Sequence, residues 1–217
     1  MAELSTLAGW QALELENFNE SWQHYERGRS AAIESGSMSF EVHAVAEQAF
    51  VLLDIGKTTD AVGLLCAARA RARRSSSFVL QSWLAAAHGE ALAADGEKEA
   101  SLRAFDKAAS LLPGEPANEE EPYVALDSTH LALWRGHALA CFAETDAVEV
   151  LSGVFGRLDP SFARAGKSLR VDFATALFAA GEPDEACAQL SHANRLAKEI
   201  GSARQLRRVS KLYAAID

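Results

Sequence analysis

Residues 101–113 read Ser-Leu-Arg-Ala-Phe-Asp-Lys-Ala-Ala-Ser-Leu-Leu-Pro. Ser101, Phe105 and Ala108 set a small residue, a large one four positions on, and a second small one three further. At 3.6 residues per turn all three share one helix face, where small positions let a second helix approach and the large one fills the gap. The pattern recurs as Ser21/Tyr25/Gly28, Ala61/Leu65/Ala68, Ala147/Leu151/Val154 and Ala186/Leu190/Ala193. Its first members stand 40, 40, 46 and 39 residues apart along the chain. Val154 departs from the small third position, and Gly28 keeps it at a helix cost of ~1 kcal/mol. A fixed period of this length marks one supersecondary unit that buries its face by stacking on its neighbours.

The pattern is the second-helix half of the tetratricopeptide (TPR) signature, and Pro113 supplies its closing proline. The first-helix half should carry a small residue twelve positions upstream. Gly9, Ala49, Gly89 and Ala174 occupy that place, and Gly136 does so in the fourth repeat with a turn one residue shorter. Gly56, Gly96 and Gly181 fall where a helix end needs a residue at positive φ. Asp60, Glu99, Asp184 and Glu185 crowd the next helix start, where the dipole favours acids. The pattern predicts helix pairs at 3–15 and 19–34, 39–55 and 58–73, 77–95 and 98–111, 126–142 and 145–157, and 162–180 and 183–200. A last helix at 203–217, with Leu206, Val209, Leu212 and Tyr213 on one face, reads as a cap. Arg204, Arg207, Arg208 and Lys211 should cover its solvent side. The expected fold is all-α: a right-handed α-solenoid of about five TPR-like antiparallel pairs plus a C-terminal capping helix, one domain over 1–217. Residues 111–127, with Pro113, Pro116, Pro122 and three glutamates at 119–121, read as an acidic inter-repeat loop, a domain boundary being the competing reading.

Composition narrows the function. The chain is 49% apolar with a formal charge of −9. No run is long and apolar enough to span a bilayer and no leader opens the chain, so no membrane is expected. The acidic balance argues against direct nucleic-acid contact, and Arg69, Arg71, Arg73 and Arg74 read as a solvated helix terminus. Cys66, Cys141 and Cys187 are widely spaced and never form a CxxC pair, which fits a reducing, cytoplasmic setting.

Motifs that carry chemistry are few. No phosphate-binding glycine loop, HExxH pair or nucleophile elbow occurs. His43/Glu47 and His137/Cys141 have the i, i+4 spacing of metal ligands, but two ligands are half a zinc site. The expectation is therefore no enzyme, no catalytic residue, no metal and no cofactor. The alternative, a thiol at Cys141 activated by His137 one turn away, needs surroundings that a sequence does not specify.

In a solenoid the first helices line the concave wall, where such arrays bind. Counted from the small packing residues, the wall positions hold Trp10, His43, Glu47, Phe50, Trp83, Glu90, His130, Trp134, His137, Asp172 and Thr175. Aromatics among carboxylates and imidazoles suit a peptide or a small amphipathic molecule. The alternative is that first-helix aromatics pack between repeats.

Residues 121–140, Glu-Pro-Tyr-Val-Ala-Leu-Asp continuing through His130-Leu-Ala-Leu-Trp-Arg-Gly-His-Ala-Leu-Ala, resemble a bacterial group. So do 169–174, Leu-Arg-Val-Asp-Phe-Ala, 181–186, Gly-Glu-Pro-Asp-Glu-Ala, 201–205, Gly-Ser-Ala-Arg-Gln, and the opening Leu7-Ala8-Gly9-Trp10. The chain resembles the TPR sensor regions of Xre-type helix-turn-helix transcriptional regulators. That resemblance implies a ligand-binding regulatory module that takes a peptide or small metabolite on its concave face and forms a homodimer. In the family a DNA-binding domain precedes the repeats; here the first repeat starts near Met1, as expected of a sensor part or a stand-alone relative. The alternative function is a protein–protein interaction scaffold that holds a partner protein without a small ligand.

Overall fold

The computed structural model describes residues 1–73, 76–112, 122–124, 126–158 and 163–216. Among them lie eleven helices and no strand. They are α1 (Ala2–Glu14), α2 (Phe18–Glu34), α3 (Met38–Asp54), α4 (Thr58–Ala72), α5 (Phe78–Ala94), α6 (Lys98–Leu111), α7 (Ser128–Cys141), α8 (Asp146–Phe155), α9 (Ala163–Ala179), α10 (Pro183–Glu199) and α11 (Ala203–Ile216). Every helix begins and ends within two residues of its predicted span. Most of the predicted acidic loop, including Pro113, Pro116 and residues 119–121, lies outside the described residues, as does Arg74.

The turns inside the pairs share one geometry. Gly56, Gly96 and Gly181 take φ of 80°, 84° and 81°. In each case the glycine N–H donates to the carbonyl three residues back and the next N–H to the one five back, as in Lys57 to Leu52 at 2.8 Å. This double cap satisfies carbonyls that the helix end leaves open. Glu16 and Ala143 hold the same place without glycine, at φ 62° and 55°. In the fourth pair the missing residue is taken up after that turn. Ala61, Ser101 and Ala186 donate to carbonyls four residues back, whereas Ala147 donates to Glu144, three back, in a tighter first turn.

Packing follows the small-on-large rule. A Cβ added to Gly9 would lie 2.7 Å from the Tyr25 ring, one on Gly89 2.8 Å from Phe105, and one on Gly136 2.4 Å from Leu151. In these three pairs the first helix therefore presents its small residue to the large residue of its own second helix. Tyr25, Leu65, Phe105, Leu151 and Leu190 are all fully buried, as are Ala49, Ala61, Ala174 and Ala186. Buried hydroxyls reinforce the third pair: Ser101 Oγ donates to Gly89 O and Ser82 Oγ to Ala108 O, both at 2.8 Å.

The chain forms two compact units. The first comprises Met1–Leu13 and Asn17–Ser128, and the second Glu14–Glu16 and Thr129–Asp217. In the first, α3 through α6 each pack on the helix before, and first helices α3 and α5 also touch directly. Leu13, Tyr25 and Val51 form a core there, flanked by Phe18, Trp22 and Phe50. In the second, α8, α9, α10 and α11 pack in sequence and α11 also meets α9. Val209 enters the core of Val171, Ala174, Leu177, Ala186, Leu190 and Ala193, with Leu212 and Tyr213 against it. The last helix thus covers the exposed seam of the fifth pair.

Candidate functional site

In the first unit the predicted wall residues of α3 and α5 meet. His43 packs on Trp83 with ring centroids 5.0 Å apart, and Phe50 lies 6.1 Å from the same indole. Glu47, one turn from His43, sits 3.5 Å from its Nε2 and accepts from the Tyr25 hydroxyl at 3.3 Å. His43 and Trp83 are buried, at 6% and 5% exposure, so they form the floor of this face, while Trp10, Glu47, Phe50 and Glu90 are half-buried at its surface. Burial pushes the His43 imidazole down to about 4, leaving it neutral near pH 7. Its Nδ1 is buried with no hydrogen-bond partner among the described residues.

In the second unit the wall positions form a polar cluster. His137 Nδ1 lies 2.7 Å from Asp172 Oδ1. Arg208 of α11 reaches the same oxygen and donates to Ser168 Oγ at 3.0 Å, while Ser168 Oγ stands 3.3 Å from Asp172 Oδ2. Burial alone would raise the Asp172 carboxyl; the charges of His137 and Arg208 and their hydrogen bonds outweigh it and hold it well below the usual carboxylate range. Cys141 Sγ is 3.6 Å from His137 Nε2. His130 is buried, Trp134 half-buried, and Thr175 is half-buried with its hydroxyl donated to Val171 O at 2.9 Å.

Arg69 and Arg208 are half-buried rather than solvated as expected of helix ends, while Arg71 and Arg73 are exposed as expected. Arg208 is half-buried, because Asp172 is 1% exposed and a buried carboxylate requires a counter-charge. Arg71 pairs with buried Glu41 at 2.8 Å, and Arg69 Nη1 lies 2.5 Å from His88 Nδ1. Burial first, and then the Arg69 charge, push His88 down to about 4. Arg208 and His88 were not among the predicted wall residues. The available signal was their helical spacing, Arg208 from Arg204 and His88 from Leu84, which places them on a face without naming a partner. A cavity of about 360 Å³ opens in the first unit between α4, α5 and α6, lined by Arg69, Arg73, Gln81, Leu84 and Lys107. Among the described residues no three His, Cys, Asp or Glu side chains converge as metal ligands. No helix among them is long and apolar enough to cross a membrane.

No family model matches the chain, and no curated protein matches it. Among solved structures it is similar to a kinesin-light-chain protein of nearly identical TPR-like repeats from Podosopora anserina, with 16% identity and a TM-score of 0.54 over 90% of this chain and 94% of that one. A point variant of that protein matches with 14% identity and a TM-score of 0.56 over 91% and 94%. At such identity the likeness speaks to fold alone. Together with the helix pairs and their small-on-large packing, it makes this chain an all-α protein of TPR-like repeats.

Proposed function

We propose that this chain is a non-enzymatic protein-interaction scaffold whose first-helix faces hold a segment of a partner protein. The observation that supports it is the convergence of His43, Phe50 and Trp83 across α3 and α5, with Glu47 beside them. Buried His43 and Trp83 form a rigid floor, and half-buried Phe50, Trp10, Glu47 and Glu90 offer apolar area with carboxylates at its edge. Such amphipathic rings are favoured where one side is dry and the other meets a ligand. In the second unit the first helices carry half-buried Trp134, His137 and Thr175, with His137 against buried Asp172. In this reading residues 1–217 act as one binding domain.

The test is native mass spectrometry of the protein drawn gently from its own host, repeated with Phe50→Ala and Trp134→Ala combined. A second protein at fixed stoichiometry, lost in the double variant while helicity is unchanged, is the expected result. A partner that survives both substitutions refutes the face. A finer reading, a sensor for a peptide or metabolite within an Xre-type regulator, rests on the resemblance of residues 121–140 and 169–186. Homodimerisation and a cytoplasmic setting belong to that reading. A dimer carrying an adduct of a few hundred daltons, with no second protein, would favour it over the scaffold.

A further inference from the structure

Cys141, His137 and Asp172 line up as thiol, imidazole and carboxylate. The Nδ1 of His137 is 2.7 Å from Asp172 Oδ1, and an ionised carboxylate only accepts hydrogen bonds. Nδ1 therefore carries a proton and donates it to Asp172. Arg208 Nη2, 3.4 Å from the same Nδ1, is then a neighbour whose hydrogen bond goes to Asp172. In its neutral form, with the remaining proton on Nδ1, His137 has its lone pair on Nε2, and that atom faces Cys141 Sγ at 3.6 Å. Asp172, 1% exposed and held by Arg208 and Ser168, fixes the ring in this tautomer and orientation. Cys141 is the last residue of α7 and is exposed. Cys66 is exposed too, and Cys187 half-buried, which makes them the internal references for Cys141.

We propose that Cys141 is a reactive thiol that peroxides oxidise to a sulfenic acid, with His137 as its base and Asp172 as the residue that positions the base. The S–H proton passes to His137 Nε2, and the resulting imidazolium sits against the Asp172 carboxylate. The thiolate attacks one peroxide oxygen, forming the S–O bond as the O–O bond breaks. The leaving hydroxide takes the proton from His137 and departs as water. Sulfur is oxidised by two electrons and the peroxide reduced by two. The product, a sulfenic acid beside His137, would lie at the edge of the second unit's first-helix face. The proposal is independent of the scaffold reading, because it concerns this chain's own chemistry.

The test treats the full chain with hydrogen peroxide, traps sulfenic acid with a cyclic diketone, and measures the labelling rate of each of the three cysteines by peptide mass spectrometry. Cys141 should label about tenfold faster than Cys66 in the same tube. His137→Gln should bring Cys141 to the Cys66 rate and leave Cys66 and Cys187 unchanged, which also reports that the variant is folded. Equal rates at Cys141 and Cys66 in the unaltered chain overturn the proposal without any variant. An undiminished Cys141 rate in folded His137→Gln overturns it as well.

Discussion

Replacing Gly136 by alanine tests the packing rule on which the whole repeat rests. The new Cβ would lie 2.4 Å from Leu151 Cδ2, 2.7 Å from its Cγ and 3.4 Å from Val150 Cγ1. Carbon atoms pack at about 3.5–4.0 Å, so roughly 1 Å of retreat is required. Because the branch point of Leu151 is itself too close, turning its tip does not make room, and the side chain is fully buried. Overpacking of this kind costs about 1–3 kcal/mol, while alanine gains about 1 kcal/mol over glycine in helix propensity. The two offset at the low end of that range and the clash wins above it, so the expected net loss is up to about 2 kcal/mol, or a Tm drop of up to several degrees at about 2–4 °C per kcal/mol. Gly63 in α4 is the control: it is exposed, nothing lies within 4 Å of its added Cβ, and Gly63→Ala should stabilise by about 0.5–1 kcal/mol. Urea and thermal unfolding followed by far-ultraviolet circular dichroism read both. In a Leu151→Ala background Gly136→Ala should lose its penalty, giving a coupling of about 1–3 kcal/mol in a double-mutant cycle. A Gly136→Ala protein as stable as Gly63→Ala would refute the reasoning.

Acidification should destabilise the protein in two windows. His43 has an ordinary value of 6.5 and is pushed to about 4 in the fold, so between those values the unfolded chain binds a proton that the folded one does not. Stability is therefore intact above pH 6.5 and falls as pH drops toward 4, by about 3 kcal/mol for this residue. His43→Leu should flatten that slope in urea titrations run across the window, and an unchanged slope would contradict the burial argument. Asp172 acts lower down: its ordinary value is 3.8 and its folded value is depressed, so its contribution holds above 3.8 and fades below it. Asp172→Ala should cost about 2–4 kcal/mol at neutral pH by stranding Arg208 and His137, with Arg208→Ala adding little to it in the double variant. Additive losses would mean that the two do not act as a pair.

How far the residues alone reach is clearest at the helix pairs. The order of small, large and small positions is a steric code read within one pair, so Gly9 against Tyr25 and Gly89 against Phe105 were legible from spacing. So were the glycine turns at Gly56, Gly96 and Gly181, since positive φ excludes most side chains. The fourth pair's short turn was visible as a register shift, but not that Ala143 would adopt φ 55° or that Ala147 would bond three residues back. The candidate faces were legible only as positions on first helices. Which members face solvent depends on the next helix: Trp83 is buried because α5 lays it on His43 and Phe50 of α3. The least legible feature is the cluster at Asp172. Helical spacing linked Cys141 to His137 four residues apart, but Asp172 lies 35 residues from His137 and Arg208 a further 36 away. Local periodicity therefore determined the repeat, the turns and the cap, because each depends on neighbours a turn or one pair away. Only the stacking of α7, α9 and α11 decided the partners of the polar groups, because a charge is satisfied by whatever tertiary packing brings beside it.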